Sequence, residues 1–182
     1  MNPHETNEEQ AEEDMPCVAE HELLPVPLEL TTRAMDFLRD GRSRFRGVKC
    51  FGFVPSNYEQ AWAILNGLPR GSFCEWGSGF GIVVGLAELL GFQASGIELE
   101  EELVDKSRAL LRDHGLQASI TAGSYLDSRE VHDYYYVYSW PGQIPATEAH
   151  FADIASERSK LLICYGQDIL NCRLPIKGKK YP

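Results

Sequence analysis

The stretch SFCEWGSGFGIVVGLAELLG, residues 72–91, places Gly77, Gly79, Gly81 and Gly85 between two strongly apolar runs, with one carboxylate, Glu75, just ahead of them. Glycines at this spacing let a chain turn sharply from strand to helix and leave bare backbone facing a ligand. The helix beyond presents amide groups that favour an anion. Gly77, Gly79 and Gly81 spell GxGxG, whereas the dinucleotide fingerprint GxGxxG requires glycine at position 82, which is Ile82. That departure argues against a nicotinamide or flavin cofactor. About twenty residues further on, GIELE puts Glu98 at the end of an apolar run, where an acid accepts hydrogen bonds from ribose hydroxyls.

Regular elements on either side have to hold this turn. SFCEW reads as a short buried strand, GIVVGLAELLG as a buried helix, and QASGIE as a second strand ending on Glu98. EEELVDKSRALLRDHG follows as a helix with Leu103, Val104, Leu110 and Leu111 inward, acids in its first turn and Gly115 at its end. QASIT is a third strand, DYYYVYSW a fourth, ATEAHFADIASE a helix and KLLICYG a fifth strand. Upstream, LTTRAMDFLRDG puts Leu30, Ala34, Phe37 and Leu38 on one helical face, with threonine at its start and Gly41 as its stop. SNYEQAWAILNG reads as a second helix, opened by a Ser56–Glu59 capping box and striped by Tyr58, Ala61, Trp62 and Leu65. Alternating strands and helices imply right-handed crossovers and an α/β fold of three layers, doubly wound around a mostly parallel sheet. Ligands of such sheets bind outside the carboxyl ends of the strands, where the strand order reverses, and the glycine turn belongs there.

Composition sets the outer limits. The chain has 182 residues, 43% apolar and 24% charged, which fits one soluble globular domain. Of the net charge of −10, seven charges come from Glu5, Glu8, Glu9, Glu12, Glu13, Asp14 and Glu20. Residues 1–20 are therefore expected to be a disordered acidic tail, and 21–182 a single domain. The acidic start lacks the basic-then-apolar pattern of a secretory signal, and no apolar run reaches membrane-span length. Cys17, Cys50, Cys74, Cys164 and Cys172 show no CxxC spacing. Reduced thiols in a cytoplasmic protein with no metal site are the expectation.

FCEWGSGFG followed by SGIELEEELVDKSRALL resembles motif I and the acidic strand end of the class I S-adenosylmethionine-dependent methyltransferases, over roughly residues 55–168. The resemblance implies a Rossmann-like methyltransferase fold with S-adenosyl-L-methionine as cofactor. It implies Glu75 near the methionine moiety, Gly77, Ser78, Gly79 and Gly81 lining it, and Glu98 on the ribose. GSGFG and GIE are also similar to the non-SET histone lysine methyltransferases; that substrate is not carried over, because the rest of their catalytic domain has no counterpart here. AGSYLD stands where the family often has Gly-Asp against the adenine amine, making Ser124 and Tyr125 the adenine candidates, with Asp127 close by. SWPGQ stands where many amino methyltransferases have Asn/Asp-Pro-Pro-Tyr/Phe. Trp140 and Pro141 would wall the methyl group there and Gln143 would offer a polar handle, which leaves the target atom open. Methyl transfer from a sulfonium needs alignment more than acid–base help. No catalytic side chain is assigned; Tyr138, His150 and Asp127 are the groups that could take a proton from an amine or phenol.

The remaining features carry two accounts each. Arg39, Arg42, Arg44, Arg46 and Lys49 surround Phe45 in an otherwise acidic chain. The segment is either a solvated loop paired with the acidic tail or a clamp, at Arg42, Arg44 and Arg46, on an anionic ligand or nucleic acid. Phe53, Pro55 and Tyr58 are candidates for a lid on the cofactor, or core. Tyr134, Tyr135, Tyr136 and Tyr138 read as a buried strand rather than a base-stacking platform. His114 and His132 read as surface or capping residues. After the fifth strand little chain remains, so a minimal sheet of five or six strands is expected, ILNCRL supplying one edge. Acceptor recognition then falls to the N-terminal region or to a partner. The leading expectation is a methyltransferase acting on a protein or small molecule. Its rivals are a module that binds the cofactor without turnover and a nucleic-acid methyltransferase using residues 39–49; the sequence leaves the oligomeric state undecided.

Overall fold

The structure, a computed structural model, describes residues 17–46, 54–166 and 169–176. In chain order it contains β1 (Val18–His21), α1 (Thr32–Phe45), α2 (Tyr58–Asn66), β2 (Ser72–Trp76), α3 (Ile82–Leu89), β3 (Gln93–Glu98) and α4 (Glu101–Asp113). These are followed by β4 (Ser119–Ala122), β5 (Tyr134–Tyr138), α5 (Ile144–Ile154), β6 (Lys160–Tyr165) and β7 (Ile169–Pro175). Among the described residues the strands form one seven-stranded sheet in the order β1-β7-β6-β5-β2-β3-β4. The strands β2 to β6 pair in parallel, and β7 and β1 close the far side antiparallel. From β2 the chain runs outward through β3 to β4, then returns to β5 on the opposite side. The order reverses between β2 and β5, which is where such sheets bind ligands.

The two faces are covered unequally. Helices α1 to α4 pack on one face, around Phe37, Trp62, Phe73, Leu86, Leu110 and Tyr136. The opposite core, with Trp76, Tyr135, Val137, Phe151 and Ile163, draws its helical cover from α5. No helix follows β4; a short 3₁₀ turn, Tyr125–Asp127, crosses there instead. The tyrosine run of β5 is buried as the sequence pattern implies.

Several local expectations change. The sheet is larger than the five or six strands expected, and ILNCRL is an inner strand. The edge is Val18–His21, paired with Cys172–Pro175 and lying partly within the segment assigned to the tail. This strand has a single buried residue, so its own pattern carries little signal; the pairing with β7 holds it. Glu20, counted as a tail charge, lies 3.2 Å from Arg173. Residues 1–16 of the proposed tail lie outside the described residues.

Gly41 does not stop α1, which continues to Phe45. A Cβ at Gly41 would lie 2.2 Å from Ile82 Cδ1, and one at Gly85 would lie 2.2 Å from Phe37 Cζ. These two glycines let α1 pass close against α3, so Gly85 serves helix packing rather than the ligand loop. The cap of α2 is Asn57, whose side chain accepts the Gln60 amide at 3.0 Å, in place of the Ser56–Glu59 box. Gly115 does end α4, in the left-handed region at φ +64°, with the Leu116 amide returning to Leu111 O. His114 caps the same helix and reaches Asp40 at 2.9 Å, a capping role as read.

Candidate functional site: the acid-lined cavity at the strand order reversal

The β2–α3 turn is built almost entirely from backbone. Gly77, Gly79 and Gly81 all take positive φ, between +52° and +68°, a region costly for residues with a Cβ. The Gly77 and Ser78 amides both donate to Ile97 O of β3, at 2.8 and 2.9 Å. The next amide, of Gly79, donates to Glu98 Oε2 at 2.7 Å, while Glu98 Oε1 accepts the Glu100 amide at 2.9 Å. Glu98 therefore ties the glycine turn to the start of α4. A carboxylate offers about four acceptor positions, so two remain for a ligand.

Glu75 supplies what Gly81 lacks. No side chain caps α3 from Gly81 itself; instead Glu75 Oε2 reaches over from β2 and accepts the Val84 amide at 3.1 Å. The carboxylate sits at the positive end of the helix dipole. Burial nevertheless pushes its pKa well above the ordinary carboxylate value, and nearby Glu98 adds to the rise.

These groups open on a cavity of about 330 Å³ at the carboxyl ends of β2, β3 and β5. Its wall carries three carboxylates, Glu75, Glu98 and Glu100, and among the described residues no lysine, arginine or histidine. Tyr125 closes one side, stacked on Trp76 with ring centroids 4.9 Å apart and tethered to Thr147 by its hydroxyl at 3.0 Å. Tyr138 and Trp140 form another side, edge to face at 5.9 Å. Trp140 is half exposed, at the mouth.

Of the residues singled out in the sequence, Glu75, Gly77, Ser78, Gly79, Glu98, Tyr125, Tyr138, Trp140 and Gln143 meet on this cavity. Others lie off its wall. Gly81 turns toward Ser107 and Ile120, where a Cβ would lie 3.1 Å from Ser107 Cβ. Ser124 caps the 3₁₀ turn by accepting the Leu126 amide, and Pro141 is exposed at the start of the next turn. Asp127 is exposed, while His150 packs behind the wall against Trp76 at 5.2 Å. Tyr58 lines the cavity, Pro55 is exposed, and Phe53 lies outside the described residues.

Sequence reasoning passed over Gly96. A Cβ there would stand 2.8 Å from both Cβ and Oγ of Ser78, so this glycine lets the turn lie flat on β3. Its signal was present in GIE, one residue before an apolar position and two before Glu98.

The basic segment is the end of α1 rather than a loop, and the described acids that engage it are not those of the tail. Arg39 pairs with Asp36, Arg42 with Glu59 at 2.8 Å, and Arg44 with Asp40 and Asp113 at 2.7 and 2.9 Å. Lys49 lies outside the described residues.

No protein-family model and no curated protein matches this chain in sequence. Its structure is similar to an RNA methyltransferase from Salinibacter ruber, solved in complex with S-adenosyl-L-homocysteine, with TM-score 0.53 and 17% identity over 60% of this chain and 82% of that one. It is similar to the mitomycin 7-O-methyltransferase MmcR, with TM-score 0.53 and 17% identity over 74% of this chain and 43% of that one. It is also similar to a ribosomal protein L11 methylase from Lactobacillus delbrueckii subsp. bulgaricus, with TM-score 0.50 and 14% identity over 57% of each chain. The chain thus spans about half the length of the last two. The fold is the Rossmann-like methyltransferase fold that the sequence resemblance implies.

Proposed function

We propose that the protein is an S-adenosylmethionine-dependent methyltransferase acting on a small molecule or a protein. The observation that carries this reading is the make-up of the cavity wall at the switch point of the sheet: Glu98 and Glu100, the buried Glu75 whose raised pKa favours its protonated form, and no basic residue among the described lining residues. The N-terminus of α3, where the diphosphate of a dinucleotide would sit, is already engaged by Glu75 through the Val84 amide. S-adenosylmethionine carries no phosphate, and its sulfonium and ammonium are cations, so the donor set fits it. Glu98 would offer its remaining acceptor positions to the ribose hydroxyls, the Gly77–Gly79 backbone would lie beside the methionine moiety, and Tyr125 would flank the base.

When bound, the cofactor would supply an already activated methyl group. The chain would contribute position and exclusion of water, effects worth on the order of 7–11 kcal/mol for well-aligned reactants. Trp140 and Tyr138 wall the mouth, and Glu98 steadies the glycine turn. Arg39, Arg42 and Arg44 are engaged with acids, which weighs against a nucleic-acid clamp built from the whole of residues 39–49.

Calorimetric titration with S-adenosylmethionine, S-adenosylhomocysteine and NAD tests the cofactor, and release of labelled methyl into protein, RNA and metabolite pools tests turnover. Binding without turnover in any pool would favour the cofactor-binding module. Among the described residues no helix is long and apolar enough to cross a membrane. The four described cysteines are free and buried, and burial raises the Cys74 thiol to about 12, which keeps it in the unreactive protonated form; the cytoplasmic location proposed for the chain rests on the cysteine spacing, which holds no CxxC pair.

A further inference from the structure

A second cleft, of about 450 Å³, lies beside the cavity and is lined by Arg42, Phe45, Arg46, Pro55, Tyr58 and Glu59, with Ser56 and Asn57 between them. Ser56 and Tyr58 belong to both walls, so the two spaces meet across this short segment. The cleft is coupled to the glycine turn as well, because the Phe45 ring packs on Phe80 with centroids 5.1 Å apart. Its chemistry is the opposite of its neighbour's. Phe45, Pro55 and Tyr58 give it an apolar body. Among the described lining residues two guanidinium groups stand against one carboxylate, Glu59, which Arg42 already holds at 2.8 Å while lying over the Tyr58 ring at 5.6 Å. Arg46 is exposed and has no ion-pair partner among the described residues, unlike Arg39, Arg42 and Arg44.

Resting on the methyltransferase reading, we infer that this cleft seats the methyl acceptor, a small molecule with a flat apolar body and an anionic end. The anionic group meets Arg46, assisted by Arg42, and the body lies against Phe45 and Tyr58. The other end passes Ser56 toward the acid-lined cavity. An acceptor with its anion at the reacting end would be turned away by Glu98 and Glu100, so the opposed charges of the two spaces fix its direction. The anionic group is a carboxylate or a phosphate, since a guanidinium takes either in the same bidentate geometry.

Phenylacetate, phenyl phosphate, phenethylamine and benzyl alcohol, titrated calorimetrically into the full chain with and without S-adenosylhomocysteine, form a matched probe set. The anionic probes are expected to bind about tenfold or more tightly than the amine and the alcohol. The phenylacetate and phenyl phosphate arms show which anion the arginines prefer. Arg46→Glu is expected to weaken anion binding by about tenfold or more while leaving S-adenosylhomocysteine affinity unchanged and lowering the melting temperature only slightly, the effect of an anion at the C-terminus of α1. Anions binding no more tightly than the amine, or an Arg46→Glu protein that binds them as well as wild type, would overturn the inference. Anion binding that persists in a chain with no affinity for S-adenosylhomocysteine would instead overturn the methyltransferase reading and, with it, the acceptor role of the cleft.

Discussion

Glu98 at the end of β3 holds the Gly79 amide at 2.7 Å and, with its other oxygen, the Glu100 amide at 2.9 Å. One side chain thereby braces the glycine turn from below while keeping acceptor positions for a ligand. Glu98→Ala should weaken S-adenosylhomocysteine binding by about 1–3 kcal/mol and lower the melting temperature, since two backbone donors lose their partner. Glu98→Gln keeps one acceptor oxygen and should fall between the two. Calorimetry on the three proteins reads this directly; unchanged affinity in a folded Glu98→Ala protein removes Glu98 from the site.

Gly96 and Gly77 lie on opposite sides of the same turn and should respond differently to alanine. At Gly77 nothing lies within 4 Å of an added Cβ, so the cost is that of a positive φ alone, about 1 kcal/mol. At Gly96 the added carbon meets Ser78 Cβ and Oγ at 2.8 Å and Ile120 Cδ1 at 2.9 Å. Gly96→Ala should displace the turn, costing about 1–3 kcal/mol of stability and reducing cofactor affinity beyond the loss at Gly77→Ala. Equal behaviour of the two variants in denaturation and binding would contradict the packing described.

Gly85→Ala tests the α1–α3 contact. Three atoms of the Phe37 ring lie within 3.1 Å of the new Cβ, and a buried ring cannot swing aside as a flexible chain end can. The variant should lose about 1–3 kcal/mol of stability, and adding Phe37→Leu should restore part of it. Urea denaturation of single and double variants measures the coupling; strictly additive losses would rule the clash out.

Glu75 gives the stability a definite pH dependence. Its folded pKa is raised by burial above the ordinary 4.5, so above that pH the folded chain retains a proton that the unfolded chain has lost. The unfolded state then binds fewer protons, and stability should fall as pH rises, by about 1.4 kcal/mol per unit until Glu75 ionises in the folded state. Buried His150 and half-buried His132 have lowered pKa values, chiefly through desolvation, and act in the opposite sense, costing stability as pH falls through 6.5. Glu75→Gln can still accept from Val84 and should flatten the Glu75 contribution while leaving that of the histidines. Denaturation midpoints from pH 4.5 upward, compared between wild type and variant, isolate it; parallel curves would show that Glu75 titrates normally.

Much of the central frame was legible because local pattern and burial coincide there. SFCEW, QASGIE and the β5 tyrosines are buried strands with strong propensity, and Gly115 ends its helix by the ordinary left-handed route. What was misread depends on partners distant in sequence. Val18–His21 is a strand only because Cys172–Pro175 lies beside it. Gly41 and Gly85 look like a stop and a loop glycine until Ile82 and Phe37 are seen against them. At the cavity, Glu98 was singled out by type and spacing and Glu75 through the family resemblance. The direction in which Gly81 and Ser124 face is set by α4 and the 3₁₀ turn, which periodicity does not reveal.

The charge of the cavity wall is the core of the functional reading, and one calorimetric comparison tests it most directly. Titrated under identical conditions, S-adenosylmethionine or S-adenosylhomocysteine should bind the full chain at one site and NAD should not. Glu98→Ala should reduce the first without creating the second. Tight NAD binding with none for either sulfur cofactor would contradict the account.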